Sequence, residues 1–123
     1  MRILIADDEP AILMSLDFLM RKEGHQVYVA RDGEEAIQLI EKEIPEVIIL
    51  DIMMPKIDGY GVCQQAKALS PTYLPKIVFI SAKIADSDIE RGYQVGADLY
   101  VPKPFSNRDL LKKVNELNLQ SKN

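Results

Sequence analysis

Acidic, hydroxyl and amino side chains stand at or directly after the ends of four separate apolar runs in the sequence. These side chains are Asp7, Asp8, Asp51, Ser81 and Lys103. Taken one at a time, each has an ordinary structural use, because an aspartate caps a helix, a serine closes a turn and a lysine extends over the surface. Brought together, two carboxylates about 4 Å apart repel by roughly 4 kcal/mol at an effective dielectric of about 20. If the runs converge, a cation is therefore expected among the acids.

The chemistry that suits such a set is phosphate transfer. An all-oxygen carboxylate site with few ligands favours Mg²⁺, which keeps several waters and completes its octahedron with substrate phosphate. A carboxylate can also accept a phosphoryl group, and this transfer depends on positioning and on neutralising the phosphoryl oxygens. We interpret Asp51 as the candidate nucleophile, with Mg²⁺ bridging its carboxylate and one phosphoryl oxygen. Lys103 would pair with a second oxygen, and the Ser81 hydroxyl with the Ala82 backbone amide would donate to the third.

Five alternations of a β-rich run with a helical pattern supply the elements that position these groups. The predicted strands are 2–6, 26–30, 46–50, 76–81 and 98–101. The predicted helices begin at about Pro10, after Asp32, after Asp58, at about Asp86 and after Ser106. Strands as apolar as 47–50 and 77–80 indicate burial on both faces, and the alternation indicates right-handed parallel crossovers. The predicted fold is α/β, a three-layer, doubly wound (βα)₅ parallel sheet that binds ligands outside the carboxyl ends of its strands.

Length and composition restrict the class of protein further. The 123 residues suit one domain, predicted over 1–119, with a polar C-terminal tail at 120–123. A net charge of −4 with scattered basic residues disfavours direct nucleic-acid binding. The longest apolar strings are only strand-sized, so neither an export nor a membrane segment is predicted. The single cysteine and single histidine exclude an intramolecular disulfide and a Cys/His zinc cluster, which fits a cytoplasmic location.

The same residues, in this order and spacing, mark a known family. The matching stretches are 3–9, 47–55, 58–59, 81–82, 96–98 and 103–105. From its first strand to its last helix the chain resembles the receiver domain of two-component response regulators, including the chemotaxis-type and sporulation-type single-domain regulators. The resemblance implies that 1–119 is a receiver domain with a flavodoxin-like sheet of strand order 2-1-3-4-5.

The resemblance also assigns roles at the site. It implies that Asp51 accepts a phosphoryl group from the phosphohistidine of a sensor histidine kinase or phosphotransfer protein. It implies that Asp8 and Asp51 ligate Mg²⁺ directly, that Asp7 acts through water, and that the Met53 backbone carbonyl is a further ligand. A cis peptide bond between Lys103 and Pro104 is also expected.

A conformational switch is the last implication of the resemblance. Ser81 would move towards the phosphoryl group, and Tyr100 would rotate into the space that Ser81 leaves. Taken alone, Tyr100 would be read as a partly exposed strand aromatic. The face formed by the fourth helix, fifth strand and fifth helix would carry the change to a downstream protein target or a covalently linked output domain.

Three other interpretations compete with this one. A flavin- or nucleotide-binding module of the same fold is disfavoured because residues 7–9 present anions where a pyrophosphate site needs glycines and free amides. A Mg²⁺-dependent phosphohydrolase with an aspartyl-phosphate intermediate would need a general acid or base beside Asp51 and a substrate pocket. A histidine-based hydrolase is disfavoured because His25 precedes the second strand, at the end of the sheet opposite the acids. Because the domain would catalyse only its own phosphorylation and dephosphorylation, we do not expect an enzyme.

Overall fold

The computed structural model describes the backbone of residues 1–121 and the side chains of residues 1–117. The strands are β1 (Arg2–Ala6), β2 (Gln26–Ala30), β3 (Val47–Asp51), β4 (Lys76–Ser81) and β5 (Leu99–Pro102). The helices are α1 (Pro10–Lys22), α2 (Gly33–Glu43), α3 (Gly59–Ala68), α4 (Asp86–Gln94) and α5 (Asn107–Ser121). The predicted (βα)₅ order is confirmed.

All five strands form one parallel sheet in the order β2-β1-β3-β4-β5, as the resemblance implied. The chain therefore moves to one side of β1 for β2 and to the other side for β3. In open α/β sheets such a reversal creates a crevice at the carboxyl ends of the strands, and ligands bind there. β3 and β5 each begin and end one residue later than predicted, so Asp51 is the last residue of β3 rather than the first residue after it.

Two apolar layers, one on each face of the sheet, attach the helices. Because successive strand residues point to opposite faces, β1 contributes Ile3 and Ile5 to one layer and Leu4 and Ala6 to the other. The first layer is completed by α1 and α5, and the second by α2, α3 and part of α4. Every residue of β3 is buried, which confirms that the sheet is covered on both sides.

Short polar contacts fix where the helices begin and end. The Asp32 carboxylate accepts a hydrogen bond from the Glu35 N–H at 2.8 Å, and the Asp58 carboxylate accepts one from the Gly61 N–H at 2.9 Å. Each bond satisfies an amide that the first helical turn leaves free, so both aspartates cap the helices that were predicted to begin after them. Gly96 follows α4 with φ at +115°, a conformation that glycine adopts without a steric penalty.

At α3 the structure also differs from the sequence-based interpretation. The pattern predicts that α3 carries Val62, Ala66 and Leu69 towards the sheet, but Leu69 is 39% exposed beyond the end of the helix, so that part of the prediction is wrong. α5 continues to Ser121 and includes the first two residues of the predicted tail, whereas 122–123 lie outside the described residues. Within residues 1–121, no helix combines the length and apolar character needed to cross a bilayer.

Candidate functional site

The carboxyl ends of four strands bring the predicted site residues to one edge of the sheet. Asp7 directly follows β1, Asp51 ends β3, Ser81 ends β4 and Lys103 directly follows β5. Among the residues whose burial is described, the buried polar side chains are Asp7 at 0%, Asp51 at 3% and Ser81 at 0% exposure. Burying a polar or charged side chain is costly unless it is paired. The fold therefore accepts this cost only at the site that the sequence identified.

Three carboxylates converge at this edge. Oxygen atoms of Asp7, Asp8 and Asp51 all lie within 4.8 Å of one another. The Oδ2 atom of Asp7 is buried and, among the described residues, finds no hydrogen bond of normal geometry, although the Lys103 ammonium lies 2.9 Å away. An unsatisfied buried oxygen beside two further carboxylates fits a divalent cation, and this all-oxygen donor set is the one that Mg²⁺ prefers.

Lys103 supplies the positive charge within the cluster. Its Nζ atom lies 2.9 Å from Oδ2 of Asp7, 3.2 Å from Oδ2 of Asp51 and 2.9 Å from Oε1 of Glu9. Burial alone would lower the pKa of Lys103, but its hydrogen bond to Glu9, its close ionic contact with Asp7 and the charge of Asp51 outweigh burial and raise the pKa above its usual value. The ammonium therefore stays charged at all physiological pH values. The peptide bond between Lys103 and Pro104 is cis, as predicted.

Asp51 is held in an unusually unfavourable place for a carboxylate. Burial, followed by the negative charge of Asp7, raises the pKa of Asp51 from 3.8 to about 6, against the opposing effects of Lys103 and the Met53 N–H. Both causes act on the charged form, the first through lost solvation and the second through repulsion. A perturbed carboxylate at the carboxyl edge of an α/β sheet is a strong candidate for a functional group.

Asp7, Asp51 and Ser81 each also accept a hydrogen bond from a backbone N–H two residues further along the chain. Oδ1 of Asp7 accepts from the Glu9 N–H at 2.9 Å, and Oδ1 of Asp51 accepts from the Met53 N–H at 3.2 Å. Oγ of Ser81 accepts from the Lys83 N–H at 3.0 Å. Each bond closes a short turn after a strand, and in the two aspartates it engages only Oδ1. The Oδ2 atoms of both aspartates remain directed at Lys103.

Two further predicted residues lie on exposed parts of the same edge. Met53 is 55% exposed in the loop that follows β3, and Ala82 is exposed directly after Ser81. A cavity of about 480 Å³ opens beside the acids, lined in part by Ala82, Lys103 and Phe105. The site is therefore open to a molecule that approaches between α1 and the loop after β5. The predicted roles of the Met53 carbonyl and the Ala82 amide stay predictions.

Tyr100 lies behind the site on β5, with its side chain directed inwards. It is 9% exposed, and its hydroxyl donates a hydrogen bond of 2.7 Å to the Lys83 carbonyl, two residues beyond Ser81. Its ring packs edge-to-face against Phe79, with centroids 6.2 Å apart. Burial raises the pKa of the Tyr100 hydroxyl. The expectation of a partly exposed aromatic, which the isolated residue would favour, is therefore wrong.

Sequence reasoning assigned no role to two groups near this edge. Glu9 reaches Lys103, and the only indication in the sequence was its position beside Asp7 and Asp8. Tyr60 on α3 donates a hydrogen bond of 3.1 Å from its hydroxyl to the Asp88 carbonyl of α4. No local pattern predicts that contact, because it joins residues that are 28 positions apart.

The fold and the acidic site together are those of a receiver domain, and comparison with known proteins agrees. The family model described as "Response regulator receiver domain" matches residues 3–115, so the chain belongs to that family. It is 34% identical to a CheY-like response regulator receiver domain protein from Methanospirillum hungatei, with a TM-score of 0.90 and coverage of 98% of this chain and 96% of that one.

Two further solved structures support the same assignment. The receiver domain of Francisella response regulator 1452 is 30% identical, with a TM-score of 0.88 and coverage of 98% of each chain. The Vibrio cholerae chemotaxis protein CheY4 is 27% identical, with a TM-score of 0.87 and coverage of 94% of this chain and 96% of that one. The flavodoxin-like (βα)₅ fold and the two-component family are thus both confirmed.

Proposed function

We propose that this chain is a phosphorylation-activated switch in which Asp51 receives the phosphoryl group. The observation that carries the proposal is the position of Asp51, buried at the end of β3 with Oδ2 3.2 Å from Lys103 and with two other carboxylates within 4.8 Å. The donor would be the phosphohistidine of a sensor histidine kinase or phosphotransfer protein in the cytoplasm. A bond forms between an Asp51 carboxylate oxygen and phosphorus, the bond from phosphorus to the histidine nitrogen breaks, and that nitrogen keeps the electron pair.

Magnesium fits the acidic cluster and is part of the proposal. Asp8 and Asp51 would hold it directly, with the Met53 carbonyl as a third protein ligand and Asp7 acting through water. When bound, Mg²⁺ supplies positive charge that offsets the carboxylates and the incoming phosphoryl oxygens. The unsatisfied Oδ2 atom of Asp7 supports this assignment, because a metal-bound water would give that atom its missing hydrogen bond.

Groups of the protein itself would bind the remaining phosphoryl oxygens. Lys103 would exchange its contact with Asp51 for one with a phosphoryl oxygen, and it is already oriented by Asp7 and Glu9. Ser81 and the Ala82 amide would donate to another oxygen, for which the Ser81 hydroxyl has a proton available because its oxygen only accepts from Lys83. Such preformed donors need little reorganisation when charge arrives.

The output of the switch would pass through Ser81 and Tyr100. Ser81 and the Lys83 carbonyl that holds the Tyr100 hydroxyl lie two residues apart, so a shift of Ser81 towards a phosphoryl group acts on the Tyr100 contact directly. The face of α4, β5 and α5 would then bind a downstream protein or a linked output domain. Because the chain processes only its own phosphoryl group, we propose that it is not an enzyme acting on an external substrate.

The proposal is tested by incubation with acetyl phosphate and Mg²⁺ followed by intact mass spectrometry. Wild type is expected to gain one base-labile phosphoryl group, and Asp51→Asn is expected to gain none because an amide is not a nucleophile for this transfer. Omitting Mg²⁺ or substituting Asp8→Asn should slow the reaction strongly. Asp58→Asn is the matched control, since Asp58 only caps α3. A phosphoryl group on Asp51→Asn, or multiple turnover of phosphoesters, would contradict the proposal.

A further inference from the structure

A buried glycine in the last turn of α4, Gly92, faces the switch aromatic, Tyr100. A methyl group built on Gly92 would lie 2.8 Å from Cδ2 and 3.1 Å from Cε2 of Tyr100, and 3.2 Å from Cδ2 of Phe79. Distances this short force a neighbouring group to move. Within a helix, glycine is less favourable than alanine because it loses more backbone entropy on folding. At this position the helix therefore carries an unfavourable residue whose one evident benefit is the space it leaves for Tyr100.

The inward position of Tyr100 depends on that space. Its ring lies against Gly92 and packs edge-to-face on the fully buried Phe79, and its hydroxyl reaches the Lys83 carbonyl at 2.7 Å. Phe79 is 0% exposed within the core and cannot yield without disturbing the sheet. Any side chain at position 92 therefore competes directly with the Tyr100 ring.

Helix α4 is held in place and cannot simply retreat. The Tyr60 hydroxyl donates to the Asp88 carbonyl at 3.1 Å, and the Arg91 guanidinium lies 4.2 Å above the centre of the Tyr60 ring. Just beyond the helix, the Cys63 thiol contacts the Val95 carbonyl at 3.4 Å. These contacts attach the start, middle and end of α4 to α3. A clash at position 92 is thus relieved most easily by rotating the Tyr100 ring out of its site.

We propose that Gly92 is a positioning residue that sets the balance between the inward and outward positions of Tyr100. The proposal rests on the proposed function, in which Tyr100 carries the state of Asp51 to the face of α4, β5 and α5. A residue changes a two-state balance only through contacts that differ between the states, and the contact of position 92 with the Tyr100 ring exists only in the inward state. A methyl group at this position would shift Tyr100 outwards whether or not Asp51 is phosphorylated.

The first test combines Gly92→Ala with three side chains at position 100. In wild type and in Tyr100→Phe, which keeps the ring, we expect Gly92→Ala to lower the urea midpoint of unfolding. In Tyr100→Ala, which removes the ring, the same change should lower the midpoint far less, because only the 3.2 Å approach to Phe79 remains and the gain in helix propensity opposes it. The pair Glu90→Gly and Glu90→Ala, at an exposed position of the same helix, calibrates that gain. If Gly92→Ala alone does not fold, its rescue by Tyr100→Ala tests the same coupling.

The second test observes the ring itself. With ¹³C-labelled aromatic side chains, we expect nuclear Overhauser contacts between Phe79 and Tyr100 in wild type and their loss in Gly92→Ala. If Gly92→Ala changes the urea midpoint equally in all three backgrounds and leaves the ring contacts unchanged, the proposal is overturned. Failure of wild type to become phosphorylated would count against the proposed function alone, because neither of these measurements depends on phosphorylation.

Discussion

Carboxylates stand at both ends of the sheet, but they are buried at the carboxyl end and half-exposed at the amino end. Asp7 and Asp51 are almost fully buried and share one ammonium. At the amino end, Asp98 has 27% of its side chain exposed, pairs with Lys76 at 3.9 Å and accepts a hydrogen bond of 2.8 Å from the Ile77 N–H. Both charges of this pair are partnered and partly exposed to solvent. The amino end therefore uses its acids to fix the chain, whereas the carboxyl end holds acids that destabilise the protein until a ligand neutralises them.

The largest effect should come from removing the shared ammonium. Lys103→Met leaves Asp7 and Asp51 buried together without a cation, and breaking a buried charge cluster in this way costs about 3 kcal/mol of unfolding free energy. The loss should be greatest at pH 7 in a chelator and smaller below pH 6, where a proton neutralises Asp51. Urea unfolding at several pH values measures both.

The matched control for that variant lies at the other end of the sheet. Lys76→Met removes an ion pair whose partners are both about one-third exposed, and such pairs contribute about 0–1 kcal/mol. Its effect should be small, and Asp98 keeps its bond from Ile77. Equal losses of unfolding free energy for Lys103→Met and Lys76→Met would contradict the contrast between a buried charge cluster at the carboxyl end and an exposed ion pair at the amino end.

The raised pKa of Asp51 determines the direction in which the unfolding free energy changes with pH. The pKa of Asp51 is raised from 3.8 to about 6, so the folded protein binds this proton more tightly than the unfolded chain does. In a chelator, the unfolding free energy of wild type should therefore fall as pH rises from about 4 to 6 and stay lower above that range. Asp51→Asn should remove this fall and stabilise the protein at pH 7 by about 2 kcal/mol.

The control for Asp51→Asn is the same substitution at Asp98. Asp98→Asn weakens a useful hydrogen bond and an ion pair, so it should destabilise the protein by about 1 kcal/mol. Saturating Mg²⁺ should stabilise wild type and narrow its difference from Asp51→Asn, because only wild type offers the full set of carboxylates. Destabilisation by both substitutions would contradict the contrast between the two ends.

The sequence predicted the fold well because its local patterns agree with one another. The apolar runs at 47–50 and 77–80 indicate strands buried on both faces, and the structure buries them. Asp32 and Asp58 begin helices as their spacing suggests, because a capping contact spans only three residues. The strand ends were off by one at β3, where Asp51 itself completes the ladder with Ile80. Local composition does not settle such a boundary, since the last pairing depends on the neighbouring strand.

The site was predicted as a set of residues, but its internal contacts were not. Strand ends in a parallel sheet must share one edge, so Asp7, Asp51 and Lys103 could be placed together from sequence. The sequence could not show which acids contact the Lys103 ammonium. In the structure that ammonium contacts Glu9 rather than Asp8. The contacts of Tyr60 and Gly92 with neighbouring elements were also invisible. They arise from packing between elements, α3 against α4 for Tyr60 and α4 against β4 and β5 for Gly92, for which composition and periodicity give no rule.

The smallest predicted effect lies at the amino end and tests whether a buried polar group there is truly satisfied. The Tyr73 hydroxyl donates a hydrogen bond of 2.6 Å to the Pro45 carbonyl, and burial raises the pKa of Tyr73 to about 12. Tyr73→Phe should therefore cost about 1 kcal/mol, the usual net value of one hydrogen bond. This loss should be constant from pH 5 to 9, because Tyr73 titrates only above pH 10 in either state. The stability advantage of wild type over Tyr73→Phe should then shrink between pH 10 and 12, where the unfolded wild-type chain releases this proton and the folded protein retains it. A loss that varied across pH 5 to 9 would mean that Tyr73 is coupled to an acid, as Asp51 is at the opposite end.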